Sequence, residues 1–509
     1  MKSLLYIAFI CSIASAQWPD SPDNNLAICA ASGEQSVVKI ATRDDGSCFV
    51  SWFDNRNSGY DVYMQRLDAT GNAMWQTDGI LIADRSYSST MDFDLAVDGD
   101  GNAIVVYRMS VSGGDGIVVT SVDTAGAIRW HQTVQGGGTF VASPVVCTVD
   151  NSIVVGWITD DDSKFQKLNS AGNAQWLMPT QISDPAGGYF YVADIHPSID
   201  GSVILSAVQY LSFSGNKRLK AQRILNSGLV GWDEQVAVMS NNSLQFGAYP
   251  EFVSDGNGGG FFTWYGVNPL QAFAAHILSD GTHGYGSEVQ VASSLGNTQR
   301  VSPIGVADGN EFVIFFRPLD NSQNNDGIGA QRLSDDGSRM WGNAGVALKP
   351  TSSSPQYGSF AAAKTDQGVT LFFTESSSWG NDVTNGVSLD VDGNSQWLAE
   401  FISVASTPSS KSRMVAAPTG DGVVLAWQDD RNGSNDTYGQ RVNSDGTLGN
   451  GASCDADLNG DGIVNVSDLL QVISSWGPCG ISCPEDIDGD GTVGVSDVLS
   501  IIADWGVCN

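Results

Sequence analysis

The stretch from Gly46 to Trp75, GSCFVSWFDNRNSGYDVYMQRLDATGNAMW, decides the fold. It returns near the end of the chain, from Asp421, as DGVVLAWQDDRNGSNDTYGQRVNSDGTLG. Both copies carry an apolar strand ending in Trp52 or Trp427, an Asp-x-Arg loop, a Gln-Arg strand and a Gly turn. The strand-end apolar position recurs at Trp52, Tyr107, Trp157, Val208, Trp264, Phe316, Phe373 and Trp427, with spacings of 50–57 residues. An aromatic beyond the later turn recurs at Trp75, Trp130, Trp176, Trp232, Tyr285, Trp341 and Trp397. Each repeat parses into four strands. In the first these are A, Val37–Thr42; B, Cys48–Phe53; C, Asp61–Leu67; and D, Met74–Ala83. Asp-Gly pairs such as Asp45-Gly46 and Asp421-Gly422 supply the tight A–B hairpins. Four-stranded units at this period are blades of a β-propeller.

The repeat count fixes the closure. Eight A-B-C sets are followed by seven complete D strands, and the last set stops at Gly449. Trp18 and the run Leu26–Ala30 supply the missing strand from the N-terminus. The fold class expected is therefore mainly β. It is an eight-bladed propeller over residues 17–451, about 54 residues per blade, closed by the N-terminal strand so that no sheet edge stays open. A solenoid, the alternative, would be capped rather than completed by an exchanged strand.

Composition agrees. The 509 residues include 59 Gly, 14 Trp and only 16% charged residues, which favours short strands and tight turns over a helical bundle. The formal net charge is −32, so nucleic acid is excluded as a partner. Residues 1–16 read as a secretory signal: Lys2, the apolar run Leu4–Ile13 and the small-residue site Ala14-Ser15-Ala16. No later run is long enough to span a bilayer. The expected location is secreted, extracellular or at the cell surface. In that compartment Cys454, Cys479, Cys483 and Cys508 read as disulfide cysteines. Of Cys29, Cys48 and Cys147, at least one is left unpaired or pairs between chains.

The B–C loops vary in length and content, and variable loops on a rigid scaffold are where binding resides. Tyr60, Tyr87, Tyr189, Tyr265 and Trp379 sit in or beside such loops and are candidates to stack on sugar rings. Asp54 with Arg56, and Asp429 with Arg431, read as braces, because a neighbouring Arg holds a carboxylate ionised. No Gly-x-Ser-x-Gly, His-Glu-x-x-His or phosphate loop is present, so no catalytic residue is assigned. The C–D turn, Leu67 to Trp75, resembles the Asp-box of sialidase-like propellers. Its Gly-to-Trp spacing is one residue longer and the leading Ser is absent, so no catalysis is carried over.

The C-terminal segment, residues 454–509, carries the sharpest motif. Asp457, Asn459, Asp461, Asn465 and Asp468 fall at positions 1, 3, 5, 9 and 12 of a calcium loop, with Gly462 at the sharp turn and the Ile463 carbonyl at position 7. The pattern repeats 29 residues later as Asp486, Asp488, Asp490, the Thr492 carbonyl and Asp497. Each loop leads into a short amphipathic helix. One apolar face is Val466, Leu469, Leu470, Ile473 and Trp476, and the other is Val495, Val498, Leu499, Ile502 and Trp505. This duplicated loop-plus-helix resembles a type I dockerin, an EF-hand-like module. The resemblance implies two bound Ca²⁺ ions, a cohesin-like protein partner and a setting of polysaccharide breakdown. It also implies antiparallel helices, and on that packing the pairings Cys454–Cys508 and Cys479–Cys483. The functional expectation is an exported propeller that binds a glycan or protein and is anchored through this module. The alternatives are a propeller that is itself a glycoside hydrolase or lyase, and a structural surface protein.

Overall fold

The computed structural model describes residues 17–85, 93–293, 298–450, 456–459, 463–479, 483–488 and 490–507. The signal segment, Tyr87, Asp461, Cys454 and Cys508 lie outside them. The described residues form eight four-stranded antiparallel sheets, one per repeat. The inner strands are Gln35–Thr42, Phe93–Val97, Val141–Val149, Tyr189–Pro197, Phe252–Ser254, Gln299–Asp308, Gln356–Lys364 and Lys411–Thr419. Each packs against the next around the ring, and the eighth packs against the first.

The closure is the one the repeat count implies. Leu26–Cys29 pairs antiparallel with Asp436–Asn443 as the fourth strand of blade 8. The segment before it clasps both neighbours. Trp18 N donates to Thr70 O on blade 1 (2.9 Å), and Ser406 N on blade 7 donates to Pro22 O (2.9 Å).

Second strands such as Cys48–Asp54 and Gly422–Asp429 are buried along their whole length, because both faces are covered by neighbouring blades. The outer strands are shorter than the sequence suggests: the first is Ile80–Ala83 rather than Met74–Ala83. Trp75 is cut off from the strand by a turn at Thr77-Asp78, closed by Gly79 N on Gln76 O (3.1 Å), and its ring reaches the next blade. There it packs on Gly126 of the following C–D turn, and its indole donates to Thr124 O (3.1 Å). The same contact runs round the ring: Trp130 on Gly172, Trp176 on Gly228, Trp232 on Gly281, Tyr285 on Gly337, Trp341 on Gly393 and Trp397 on Gly446. Trp18 on Gly71 completes the circle. A Cβ on any of these glycines would sit 2.7–3.1 Å from ring atoms of the aromatic.

In the C-terminal repeats, helices α1 (Val466–Ser474) and α2 (Val495–Ala503) pack together. Ile463–Val464 pairs with Gly506–Val507, and Gly477–Pro478 with Thr492–Val493. Each helix's exit thus lies beside the other's entry, so the helices run antiparallel. Cys479 and Cys483 are disulfide-bonded, with Cα atoms 6.1 Å apart. Cys29, Cys48 and Cys147 are free and buried. Among the described residues no helix is long and apolar enough to cross a membrane.

The interlock makes a stability prediction. Gly172 has φ +80° and a Cβ there would meet the Trp130 ring at 2.7 Å, whereas Gly433, φ +95°, has open space. Gly172→Ala should cost about 2–5 kcal/mol, combining left-handed strain with overpacking, and Gly433→Ala only about 1–2 kcal/mol from strain. Chemical denaturation of both variants checks this, and equal losses would remove the interlock from the account.

Candidate functional site

Among the described residues, six inner strands slip register against their second strand, on blade 4 between Val192 and Asp194, and five of them do so at a left-handed residue. Val37, Ser143, Ser302, Ser359 and Arg413 have positive φ there, and the pairing register slips beside each of them. Bulges re-aim side chains. Here the next residues on blades 6, 7 and 8 are Pro303, Phe360 and Met414, all lining a central cavity of about 490 Å³. This gives one side of the channel an apolar wall, extended by Ile304 and Ala361.

The other side is charged. Lys39 on blade 1 pairs with Asp94 on blade 2 (Nζ–Oδ1 3.1 Å), and Asp94 Oδ2 accepts from Val146 N on blade 3 (2.9 Å). On blade 4, Asp194 Oδ2 meets His196 Nε2 (3.0 Å) and accepts from Phe252 N on blade 5 (3.2 Å). Glu251, on blade 5, lines the cavity and accepts no hydrogen bond among the described residues. The Asp94 carboxylate holds the Lys39 ammonium above its ordinary pKa against the pull of burial, and Glu251 and Asp194 add to it. Burial, then the Asp194 charge, raises the Glu251 carboxyl. For His196, burial works against the charged ring, but Asp194 prevails and its pKa is raised.

Above this floor, on the face of the B–C loops, lies an aromatic mouth. Tyr189 stacks on Tyr210 (4.8 Å between centroids) and meets Tyr191 edge-on (5.6 Å). Phe213 packs on Phe246 (5.0 Å), and Lys217 lies 5.1 Å from the centroids of both Tyr210 and Phe246. Phe213, Phe246 and Tyr249 are exposed, and Tyr249 and Tyr265 line the cavity.

The loop aromatics singled out in sequence therefore part company. Tyr189 and Tyr265 join the mouth. Tyr60 packs against the core between blades 1 and 2. Trp379 is 98% exposed. The B–C connection of blade 2, Met109–Gly116, is mostly strand closed by a tight hairpin. Sequence reading did not find Lys39, Asp94, Asp194, His196, Glu251 or Tyr249. For Lys39, Asp94, Asp194 and His196 the signal was an ionisable side chain inside a largely apolar inner strand, as in Phe93-Asp94-Leu95, whereas Tyr249 and Glu251 precede their strand and had no such signal. The two Asp-x-Arg pairs are braces, as expected. Asp54 takes Arg56 (2.5 Å) and the Trp52 indole (2.9 Å); Asp429 takes Arg431 (2.6 Å) and the Trp427 indole (2.9 Å). Burial opposes ionisation of both carboxyls, yet these donors hold them below the usual carboxylate range.

In the C-terminal repeats, carboxylate oxygens of Asp486, Asp488 and Asp497 lie within 4.8 Å of one another. Asp497 is buried and accepts from Ile487 N (2.8 Å) and Gly494 N (2.6 Å), and these amides overcome burial to keep its carboxyl below the usual range. Asp490 Oδ1 accepts from Thr492 N (2.8 Å). Asp486 Oδ1 is buried with no hydrogen-bond partner among the described residues. In the first repeat Asp468 is likewise buried, accepting from Asn459 N (3.2 Å) and Asn465 N (2.9 Å), and Asn465 caps α1 through Ser467 N (2.7 Å). The helix faces divide differently from the sequence reading. Leu469, Val472, Val498 and Ile501 form the inner contact. Val466, Leu470, Ile473 and Trp476, with Val495, Leu499, Ile502 and Trp505, are more than half exposed.

No family model matches the chain, and no curated protein matches it in sequence. Solved structures resemble it in shape alone. Prolyl oligopeptidase B from Galerina marginata is similar over 78% of this chain and 55% of its own, with TM-score 0.44 and 11% identity. Puromycin hydrolase is similar over 82% and 62%, with TM-score 0.42 and 11% identity. A Lactobacillus plantarum protein is similar over 71% and 96%, with TM-score 0.39 and 12% identity. The chain spans a little over half the length of the first two, and likeness at this level carries no argument about this chain.

The Asp194–His196 pair is testable by pH. A His whose folded pKa is raised contributes stability that is full below its unfolded value, about 6.5, and is lost as pH rises through the folded value. His196→Asn should therefore lower the melting temperature more at about pH 5.5 than at about pH 9. An equal loss at the two pH values would mean that the pair is not charged in the folded protein.

Proposed function

We propose that the chain is an exported binding protein. Its propeller holds a glycan at the B–C mouth, and its C-terminal repeats, loaded with two Ca²⁺ ions, dock to a cohesin-like partner in the service of polysaccharide breakdown. The observation that carries the glycan reading is the channel itself: aromatic rings at the rim, an apolar wall on blades 6–8 and charged groups opposite. A sugar ring has the same division, with apolar C–H faces and a polar hydroxyl edge.

Calcium is supported by the donor chemistry. Asp486, Asp488 and Asp497 are hard oxygen ligands gathered closely, and the partnerless Asp486 Oδ1 is an acceptor in want of a cation. In the first repeat Asp457, Asn459, Asp461, Asn465, Asp468 and the Ile463 carbonyl are the equivalent set. Docking is supported by the exposed stripes on α1 and α2, since contiguous apolar surface on a small domain marks an interaction site.

A second reading, a glycan-cleaving hydrolase or lyase at the same channel, is favoured by one observation. Glu251 carries a raised pKa beside Asp194, as a proton donor paired with a carboxylate would.

Two experiments test these readings. Pulldown of the full chain on a panel of insoluble polysaccharides should retain it on at least one. Tyr249→Ala or Tyr265→Ala should weaken retention about ten-fold, the effect of losing one stacked ring. The same panel should release no reducing sugar, and release abolished by Glu251→Gln would transfer the argument to the hydrolase. Calcium should protect the C-terminal repeats from limited proteolysis, and a chelator or the pair Asp457→Ala, Asp486→Ala should remove protection. Digestion indifferent to calcium would end that part of the proposal.

A further inference from the structure

The charges around the channel are nearly all spent on one another. Lys39 is taken by Asp94 and His196 by Asp194, and the two aspartates also hold the Val146 and Phe252 amides. Glu251 differs. Among the described residues that line the cavity it is the one charged group, and no donor reaches it. Its companions at the rim are Tyr249 and Tyr265, with Phe360 and Met414 across the space.

A carboxylate that is open to the cavity and takes no hydrogen bond from the described residues, in a lining that includes aromatic rings, discriminates by charge. A uronate or sulfated sugar would bring a second negative group beside Glu251 and into the field of a chain with net charge −32. A neutral sugar can donate hydroxyls to it but adds no charge to the Lys39 ammonium and His196, whose fields already reach the carboxylate. An ammonium compensates the carboxylate and gains from the ring faces as well. Glu251 is exposed to the cavity, yet desolvation within the channel and the Asp194 charge outweigh Lys39 and His196 and hold its carboxyl above its ordinary range, which a ligand cation would reverse.

We propose that the cavity is a subsite for an amine-bearing sugar unit, with Glu251 accepting the ammonium and Tyr249 and Tyr265 flanking it. The inference rests on the glycan-binding reading of the mouth and deepens it by naming the sugar class. It makes Glu251 a specificity-determining residue, whereas the aromatic rings supply affinity for sugar of any charge.

The test is a binding titration of the full chain with four matched oligomers: glucosamine, N-acetylglucosamine, glucose and galacturonate. Wild type should bind the glucosamine oligomer at least about ten-fold more tightly than its acetylated form, which carries an uncharged acetamide in place of the ammonium. The galacturonate oligomer should bind weakest. Glu251→Gln, which removes the charge, should abolish the preference for the glucosamine oligomer over its acetylated form. Tyr249→Ala should weaken all the oligomers that bind. The preference in wild type needs no variant, so a misfolded Glu251→Gln protein does not shelter the idea. Equal binding of the glucosamine and N-acetylglucosamine oligomers, or a preference that survives Glu251→Gln, overturns the inference. If the glucose oligomer still binds in a Tyr249-dependent way, the glycan reading stands without it. If none of the four binds, both fall.

Discussion

The contact between the aromatic of one blade and the left-handed glycine of the next is what makes eight sheets a ring. A four-stranded sheet with two apolar faces has no stable existence alone. Its faces are covered by neighbours, but face-to-face packing is tolerant of sliding and fixes no angle between blades. An indole seated on a glycine that admits no Cβ, with its N–H tied to a turn carbonyl, fixes both distance and rotation. Six indoles make that second bond to the next blade, at 2.8–3.2 Å, from Trp75, Trp130, Trp176, Trp232, Trp341 and Trp397. Positive φ at those glycines excludes nearly every other residue, so turn and interlock impose the same demand.

Closure is then a matter of the last seat. Trp18 reaches Gly71 only if the N-terminal segment crosses from blade 8 to blade 1, and that crossing brings Leu26–Cys29 to the free edge of Asp436–Asn443. The braces sit at the same seam. Arg431 donates to Asn25 Oδ1 (3.0 Å) as well as to Asp429, and the Asn435 side chain donates to Glu34 (2.8 Å). Arg56 and Arg431 also lie 4.1 Å over the rings of Tyr63 and Tyr438. Blades 1 and 8, which carry the matching Asp-x-Arg loops, are the two that the chain must join by non-local contacts. Removing one partner of such a buried pair costs about 3–5 kcal/mol, so the ring is reinforced where its connectivity is weakest.

How far the sequence is legible follows from this geometry. Strand order, blade number and the exchanged strand were readable because each is a local pattern written many times over, and repetition cancels accidents in any one copy. The first outer strand is shorter than the sequence suggests because a turn at Thr77-Asp78 separates Trp75 from it, whereas Trp130, with the same seat on the next blade, lies within its own strand. The channel was not readable. Lys39, Asp94, Asp194 and Glu251 come from four blades, and nothing local distinguishes an inner-strand charge that meets a partner across the ring from one that faces solvent. The bulges at Ser302 and Arg413 carry no glycine to announce them, yet they turn Pro303 and Met414 toward the cavity, as the one at Ser359, beside Gly358, turns Phe360. On α1 and α2 the apolar period was plain, but a period gives stripes and not which stripe faces inward. Leu469 and Val472 went in, while Leu470 and Trp476 stayed out.

That last division bears on how the C-terminal repeats work. Their core is small: Ala456, Val464, Val472, Val493 and Ile501 are fully buried, with a few partly covered neighbours. A unit of this size buries too little to offset its chain entropy and needs a staple. The Cys479–Cys483 bond closes only a short loop and constrains the unfolded chain little. On the calcium reading the ions are the larger staple, because Asp486, Asp488 and Asp497 repel one another without a cation, and Asp497 also holds the start of α2 through Gly494 N. Ligation and helix order then become one equilibrium. The exposed stripes exist as continuous surfaces only when α1 and α2 are formed and antiparallel, so any partner that reads them binds the loaded form preferentially. By linkage that partner must tighten calcium in turn, by the factor with which calcium tightens the partner.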